Sequence, residues 1–290
     1  MANLKEVRTR IASVSSTQQI TSAMKMVSAA KFRRAQNAIF GMRPYAAQLG
    51  EIISDIDVED GVQTVYHETR APGSVLLVVV TSNKGLCGAF NSNVIKQAQA
   101  RMDYYVKEGK AEVKMITLGK RGSEFFAKQQ GLVEASYDEV LDAPDFDSVS
   151  AVCEEVMRAF VDKKYDRVEL IYNQFKNSLT QILSTEQFLP VAPKTAADGE
   201  KKTRNDYLYE PDKETILREM IPLTLRSQFY RVVLDSLAAE HGARMTAMQK
   251  ATDNATELLK ELRLSYNKAR QAAITNEIIE IVSGSEALKG

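Results

Sequence analysis

The sequence predicts an α/β fold: a central domain with a largely parallel sheet, flanked by two long terminal helices that form an antiparallel coiled coil. Three observations carry this expectation. Apolar residues recur at alternating steps of three and four at both ends of the chain, which is the coiled-coil period. The middle alternates short β-branched runs with helical patterns, as strand-and-crossover units do. A long helix in water also needs a partner for its apolar stripe, and each terminal helix is the natural partner of the other. The expected divisions are an N-terminal coiled-coil helix over 1–58, an α/β domain over 72–192 and a C-terminal coiled-coil helix over 208–287.

In the first helix, Leu4, Val7, Ile11 and Val14 set the seam. It is then expected to slip to Ile20, Met24 and Val27 and to resume at Ala38, Met42, Tyr45, Leu49, Ile52 and Ile56, slips that change the local winding. Pro44 removes a backbone hydrogen bond and, with Gly41 and Gly50, predicts a kink or weak point over 40–44. Residues 74–80 read as a buried strand. Asn91 and Ser92 are expected to cap a helix carrying Val94, Ile95, Ala98, Met102 and Val106. A strand over 113–118 and a short helix after Gly119 follow. Asp147 and Ser148 are expected to cap a helix with Val149, Val152, Val156 and Phe160. Residues 168–172 and 179–188 read as strands around a turn at Asn177 and Ser178, which adds an antiparallel edge to a Rossmann-like alternation. The polar stretch 193–204 reads as an exposed loop.

The last helix is expected to begin within 211–222, with Pro222 near its start. Its seam runs Met245, Met248, Thr252, Ala255, Leu259, Leu262, Tyr266, Ala269 and Ala273, then shifts to Ile274, Ile278 and Ile281. At ~1.5 Å per residue such a helix spans on the order of 100 Å. A domain of this size is about 40 Å across, so the helices are expected to project from it.

Composition narrows the function classes. Of 290 residues, 44% are hydrophobic and 26% charged, and Lys plus Arg equal Asp plus Glu at 38 each, so bulk charge calls for no polyanionic partner. Charge is nevertheless uneven: within the first 43 residues Lys5, Arg8, Arg10, Lys25, Lys31, Arg33, Arg34 and Arg43 face a single acid, Glu6. Cys87 and Cys153 stand far apart and make neither a zinc pattern nor a disulfide framework. The apolar run 75–80 is too short to cross a bilayer, and the first residues lack an apolar signal core. Membrane association is therefore expected to come through a partner.

Candidate chemistry is sparse. The loop Thr81–Asn91 follows a strand and precedes a helix, where phosphate-binding loops sit, but Lys84 precedes the glycines and neither GxxxxGK[ST] nor GxGxxG is present. A structural turn is the leading reading, with a partner contact or a nucleotide site as alternatives. Cys87 has only His67 and His241 as conceivable bases, neither in a catalytic setting. Glu257 and Glu261 read as a solvated helix face, and Met24, Met26, Met245 and Met248 as adaptable packing. The basic cluster Lys31, Arg33 and Arg34, with Lys25, fits a solvated face, an acidic protein partner or, least well, nucleic acid. No catalytic residue, cofactor or metal site is expected.

Several stretches resemble the gamma subunits of F-type ATP synthases. They are Ile11–Gln36; Thr81–Asn91, with its Lys84-Gly85-Leu86-Cys87-Gly88 core; Asp206-Tyr207-Leu208-Tyr209-Glu210-Pro211; Ala243–Asn254; and Leu264–Glu280. The likeness runs from end to end in order. The family's usual Gly-Ala near the C-terminus is replaced by Gly284-Ser285. Neither a chloroplast-type regulatory cysteine pair nor a transit-peptide pattern is recognised in these residues, so a bacterial member is expected.

The resemblance implies a rotor shaft in the bore of alternating alpha and beta subunits, seated on a membrane c-ring beside an epsilon subunit, on the cytoplasmic face of the plasma membrane. It would couple ring rotation to ATP synthesis or hydrolysis at sites on other subunits. By the same resemblance Met24, Lys25, Lys31, Arg33 and Arg34 would face an acidic lever of the catalytic subunits. Arg244, Gln271, Thr275 and Glu280 would touch the bore, Ile278 an apolar bearing, and Tyr207, Leu208, Tyr209 and Glu210 the ring. Two other functions compete on the residues alone: a nucleotide-using α/β enzyme with helical oligomerisation arms, and a basic coiled-coil adaptor for nucleic acid.

Overall fold

The computed structural model describes residues 4–60, 64–109, 111–129, 131–177, 180–191 and 213–287. These divide into two compact units, Met1–Ser28 with Met245–Gly290, and Ala29–Arg244. Two helices contribute to both, α1 (Leu4–Asp60) and α5 (Lys213–Ala287). Pro44 lies inside α1, which continues to Asp60, and Pro222 lies well inside α5 rather than at its start.

In the first unit α1 and α5 meet antiparallel. Gln18 Nε2 donates to Thr256 Oγ1 at 2.6 Å, and the hydroxyls of Thr21 and Thr252 lie 2.8 Å apart, so residue numbers rise on one helix as they fall on the other. Met248, Ala255 and Leu259 are buried, and the remaining positions of the α5 seam through Ala273 are half-buried, as their spacing predicts. The α1 seam differs from expectation. Ile20 and Val27 are 60% and 58% exposed, while Gln18, Thr21, Lys25 and Ser28 occupy the inward positions. The rhythm set by Val7, Ile11 and Val14 thus runs on without a slip. Polar side chains can sit there because their groups are bonded: Thr21 and Gln18 to α5, and Ser28 Oγ to the carbonyl of Met24 at 2.7 Å.

The second unit is built on a five-stranded sheet in the order β3-β2-β1-β4-β5. Its strands are β1 (Ser74–Val80), β2 (Glu112–Leu118), β3 (Val133–Ser136), β4 (Arg167–Phe175) and β5 (Gln181–Leu189). All pairings are parallel except β4 with β5, which makes β5 the antiparallel edge. The run Val75–Val80 is continuously apolar because both faces of the central strand are covered. Leu76, Val78 and Val80 pack with α4 (Phe146–Val161) and the first part of α5, around Val152, Phe160, Phe229 and Val233. Val75, Leu77 and Val79 pack with α2 (Phe90–Lys107) and Phe126 of α3 (Lys120–Phe126).

A third cluster joins Ile39 of α1 to Cys87, Phe90, Phe175, Leu234 and Ala238, with Phe32 edge-on to Phe175 at 5.4 Å. Here the α1 seam departs from expectation in part: Leu49 is buried and Met42 half-buried as expected, but Ile39 is buried in place of Ala38, and Ala38 and Tyr45 are exposed. The side chains of Ile52 and Ile56 lie outside the described set.

Both helix caps fall earlier than their residue types predict. Asp145, not Asp147 or Ser148, caps α4 by accepting from the Ser148 amide at 2.7 Å. Asn91 does not cap α2, because its amide group turns back to Ser82. Gly119 carries φ +106°, and a Cβ there would lie 2.5 Å from the Thr81 carbonyl oxygen, so only glycine fits where β1 and β2 end side by side.

Candidate partner-contact surfaces

Among the described residues no group of three or more His, Cys, Asp or Glu side chains could hold a metal ion. No described helix is long and apolar enough to cross a membrane. Both cysteines are reduced and buried. Burial raises the thiol of each, most strongly at Cys153, which is the opposite of what a nucleophile needs. His241 is held down to about 4 by burial, with the charges of Arg244 and Lys31 adding to the effect.

The basic cluster is divided between the units. Met24 and Lys25 are half-buried in the first, where Lys25 lies on the seam. Lys31, Arg33 and Arg34 are exposed on α1 in the second unit, while Phe32 between them turns inward. That alternation fixes the direction in which the three cations point.

On α5, Gln271, Thr275, Ile278 and Glu280 are all exposed. Thr275 bonds its own helix through the Gln271 carbonyl at 2.9 Å. Past Ala273 every described side-chain position is exposed, including Ile274, Ile278, Ile279, Ile281 and Val282. Large aliphatic groups thus stand in water along this stretch of α5, an apolar exposure larger than scattered surface residues give. Tyr207, Leu208, Tyr209 and Glu210, like the stretch 193–204 expected to be a loop, lie outside the described residues.

Arg244 is placed differently from the other candidates. Its side chain is 9% exposed, and its guanidinium binds its own chain. Nη1 reaches Glu240 Oε1 at 2.5 Å, Nη2 reaches the carbonyls of Lys84 and Gly85 at 2.7 and 3.2 Å, and Nε reaches that of Gly85 at 3.3 Å. Several other polar groups of the Thr81–Asn91 loop are also engaged within the unit. The Ser82 amide donates to Asn91 Oδ1 at 2.9 Å, and Asn83 Nδ2 to Asp142 Oδ1 at 2.9 Å.

A second buried ionic network went unread in the sequence. Glu169 on β4 accepts from Arg101 Nε and Nη2 at 2.9 and 2.5 Å, from the Tyr105 hydroxyl at 2.5 Å and from Arg167 Nε at 3.1 Å. Burial opposes its charge, but the Arg101 and Tyr105 hydrogen bonds prevail and hold the carboxyl below its ordinary range. Nothing in the spacing of 101, 105 and 169 signals the group except that Arg101 and Tyr105 are one helical turn apart.

The sequence matches the family model described as ATP synthase over residues 3–288. It is 53% identical to the ATP synthase gamma chain of Flavobacterium johnsoniae, with 100% of both chains covered. It is 52% identical to that of Cytophaga hutchinsonii, with 99% of both covered. Among solved structures, a chain of the Tetrahymena thermophila mitochondrial ATP synthase central stalk and c-ring matches with a TM-score of 0.58 and 26% identity, over 80% of this chain and 99% of that one. A chain of the Euglena gracilis mitochondrial ATP synthase rotor shares the fold with a TM-score of 0.68 at 21% identity, over 93% and 98% of the two chains.

Proposed function

This chain belongs to the family of ATP synthase gamma chains, and from that premise we propose that it is the central rotor shaft of a bacterial proton-translocating enzyme and holds no catalytic site itself. The observation that carries the reading lies in the first unit. Gln18 and Thr21 bond to Thr256 and Thr252 in antiparallel register, while α5 beyond Ala273 is left with an uncovered aliphatic surface. Two helices wound as a coiled coil make a slim shaft with unlike faces. Turning inside a ring of alternating alpha and beta subunits, it offers each catalytic subunit a different face, and so imposes different conformations on them.

Each candidate surface has a role in this account. Met24, Lys31, Arg33 and Arg34 face an acidic lever of the head, because charges across a gap attract at range and still allow sliding, while Lys25, half-buried on the seam, contributes charge rather than a direct contact. Gln271, Thr275 and Glu280 meet the bore through polar contacts. Ile278, with its aliphatic neighbours, buries in an apolar bearing. Tyr207, Leu208, Tyr209 and Glu210 seat the chain on the c-ring beside the epsilon subunit. Arg244 shapes the head-facing surface through the loop it holds rather than by touching the bore. The protein is peripheral, held to the cytoplasmic face of the plasma membrane through these partners.

Isolation of a tagged chain from native membranes tests the reading. It should bring down the ring subunit and one copy of itself for every three of each large head subunit. Recovery without head or ring, together with stoichiometric nucleotide binding by the lone chain in calorimetry, would replace the shaft with an enzyme.

A further inference from the structure

The turn between β1 and α2 has a shape that its own residues disfavour. Leu86 carries φ 63°, the left-handed region where a side chain is strained, and it is 64% exposed. One residue on, Cys87 is buried against Ile39, Phe90, Leu234 and Ala238. A strained residue with its aliphatic side chain outside, next to a thiol inside, needs an external hold.

Arg244 supplies it. Its fork takes the carbonyls of Lys84 and Gly85, the two residues before Leu86, and its remaining arm is fixed by Glu240 one helical turn away. Both side chains of the pair are 9% exposed. A guanidinium is suited to this work because it never loses its charge and its donors lie in one rigid plane. Glu240 gives the buried cation its counter-charge, and His241 Nδ1 lies 3.4 Å from the same nitrogen. These donors are therefore directed into the chain.

We propose that Arg244, oriented by Glu240, is an internal clasp that locks the 84–87 turn onto α5, shuts Cys87 in and sets Leu86 outward as a rigid surface feature. Arg244 is thus a positioning residue, and the clasp stands on these contacts whatever the rotor reading becomes. Opening it frees two carbonyls and lets the strained turn relax, which uncovers the thiol.

The two cysteines make the test internal. The full-length chain is alkylated with N-ethylmaleimide under native conditions, and the rates at Cys87 and Cys153 are read separately by peptide mass. Cys153 sits in a different core cluster, with Val152, Phe160 and Phe229, and reports general unfolding. In Arg244→Gln, Cys87 should react at least tenfold faster while Cys153 stays protected, because the labelling rate follows the open fraction. Chemistry alone predicts the reverse. Burial raises the Cys87 thiol and the Arg244 charge partly offsets that, so removing the charge leaves less thiolate. Arg244→Lys, which keeps the charge but not the fork, should fall between. Glu240→Gln should do the same after correction for thiolate fraction from the pH dependence. An unchanged Cys87 rate in Arg244→Gln would overturn the clasp. So would equal acceleration of both cysteines in all three variants, since the pair would then support the whole unit rather than the turn.

Discussion

Replacing Arg101 with Met removes the guanidinium from Glu169 and keeps most of the aliphatic stem. The carboxylate is 2% exposed and would lose two of its four hydrogen bonds, retaining Tyr105 at 2.5 Å and Arg167 at 3.1 Å. Stripping one partner from a buried ion pair costs about 3–5 kcal/mol. Two donors remain and Arg101 is itself 28% exposed, so about 3 kcal/mol is the expected loss. The double variant Arg101→Met/Glu169→Gln should recover about 1 kcal/mol of it, because no buried carboxylate is then left short of its counter-charge and Arg167, 34% exposed, can turn to water.

Pulse alkylation of Cys153 along a urea gradient reads the stability of the sheet-bearing unit. The loss should also depend on pH. Glu169 is depressed in the folded state, so its contribution is present above the ordinary carboxylate range and disappears as pH falls through the folded value. The gap between wild type and Arg101→Met should therefore narrow in acid. An unchanged urea midpoint at neutral pH, or a double variant no better than the single one, would refute the reasoning.

Three further outcomes follow from the same coordinates. Gly119→Ala should destabilise the sheet-bearing unit by about 3 kcal/mol in the same urea assay, since the new Cβ combines a strained φ with a 2.5 Å approach to the Thr81 carbonyl oxygen. Half-buried His241 is held neutral, with its folded value at about 4 against an ordinary 6.5, so its contribution to stability should be complete above pH 6.5 and decline toward pH 4. Urea midpoints for His241→Asn should show a flatter pH profile across that window. Ile278→Asp places a charge in the exposed aliphatic run and should weaken assembly with the head at least tenfold in a reconstitution titration, leaving the urea midpoint of the isolated chain unchanged.

Legibility in the sequence followed how far each element depends on its own apolar pattern. The α5 seam from Met245 to Ala273 and the strand Ser74–Val80 were readable because burial there is achieved by aliphatic side chains at regular spacing. The middle of α1 was misread because its seam is polar: Gln18, Thr21 and Ser28 turn inward on the strength of hydrogen bonds, while Ile20 and Val27 face water. Strand β3 escaped notice because its four residues, Val133–Ser136, are too few to show a period. Asn91 resembles a cap by type, but Ser82 nine positions earlier claims its side chain. The role of Arg244 was not readable in its own neighbourhood, since two of its acceptors are carbonyls about 160 residues away in sequence. Family likeness located that residue, and only the coordinates showed which way its guanidinium points.

The central claim is that the two ends of the chain wind about each other and turn as one body. Cysteines placed at Thr21 and Thr252 test it most directly, because hydroxyls 2.8 Å apart leave room for a bond of about 2.05 Å between sulfurs. In the assembled enzyme the Thr21→Cys/Thr252→Cys pair should oxidise readily and ATP hydrolysis should continue coupled to proton movement, while Ile20→Cys/Thr252→Cys, with its first position facing water, should stay reduced. Failure of the first pair to cross-link, or loss of coupled turnover once it has, would contradict a shaft made from these two helices.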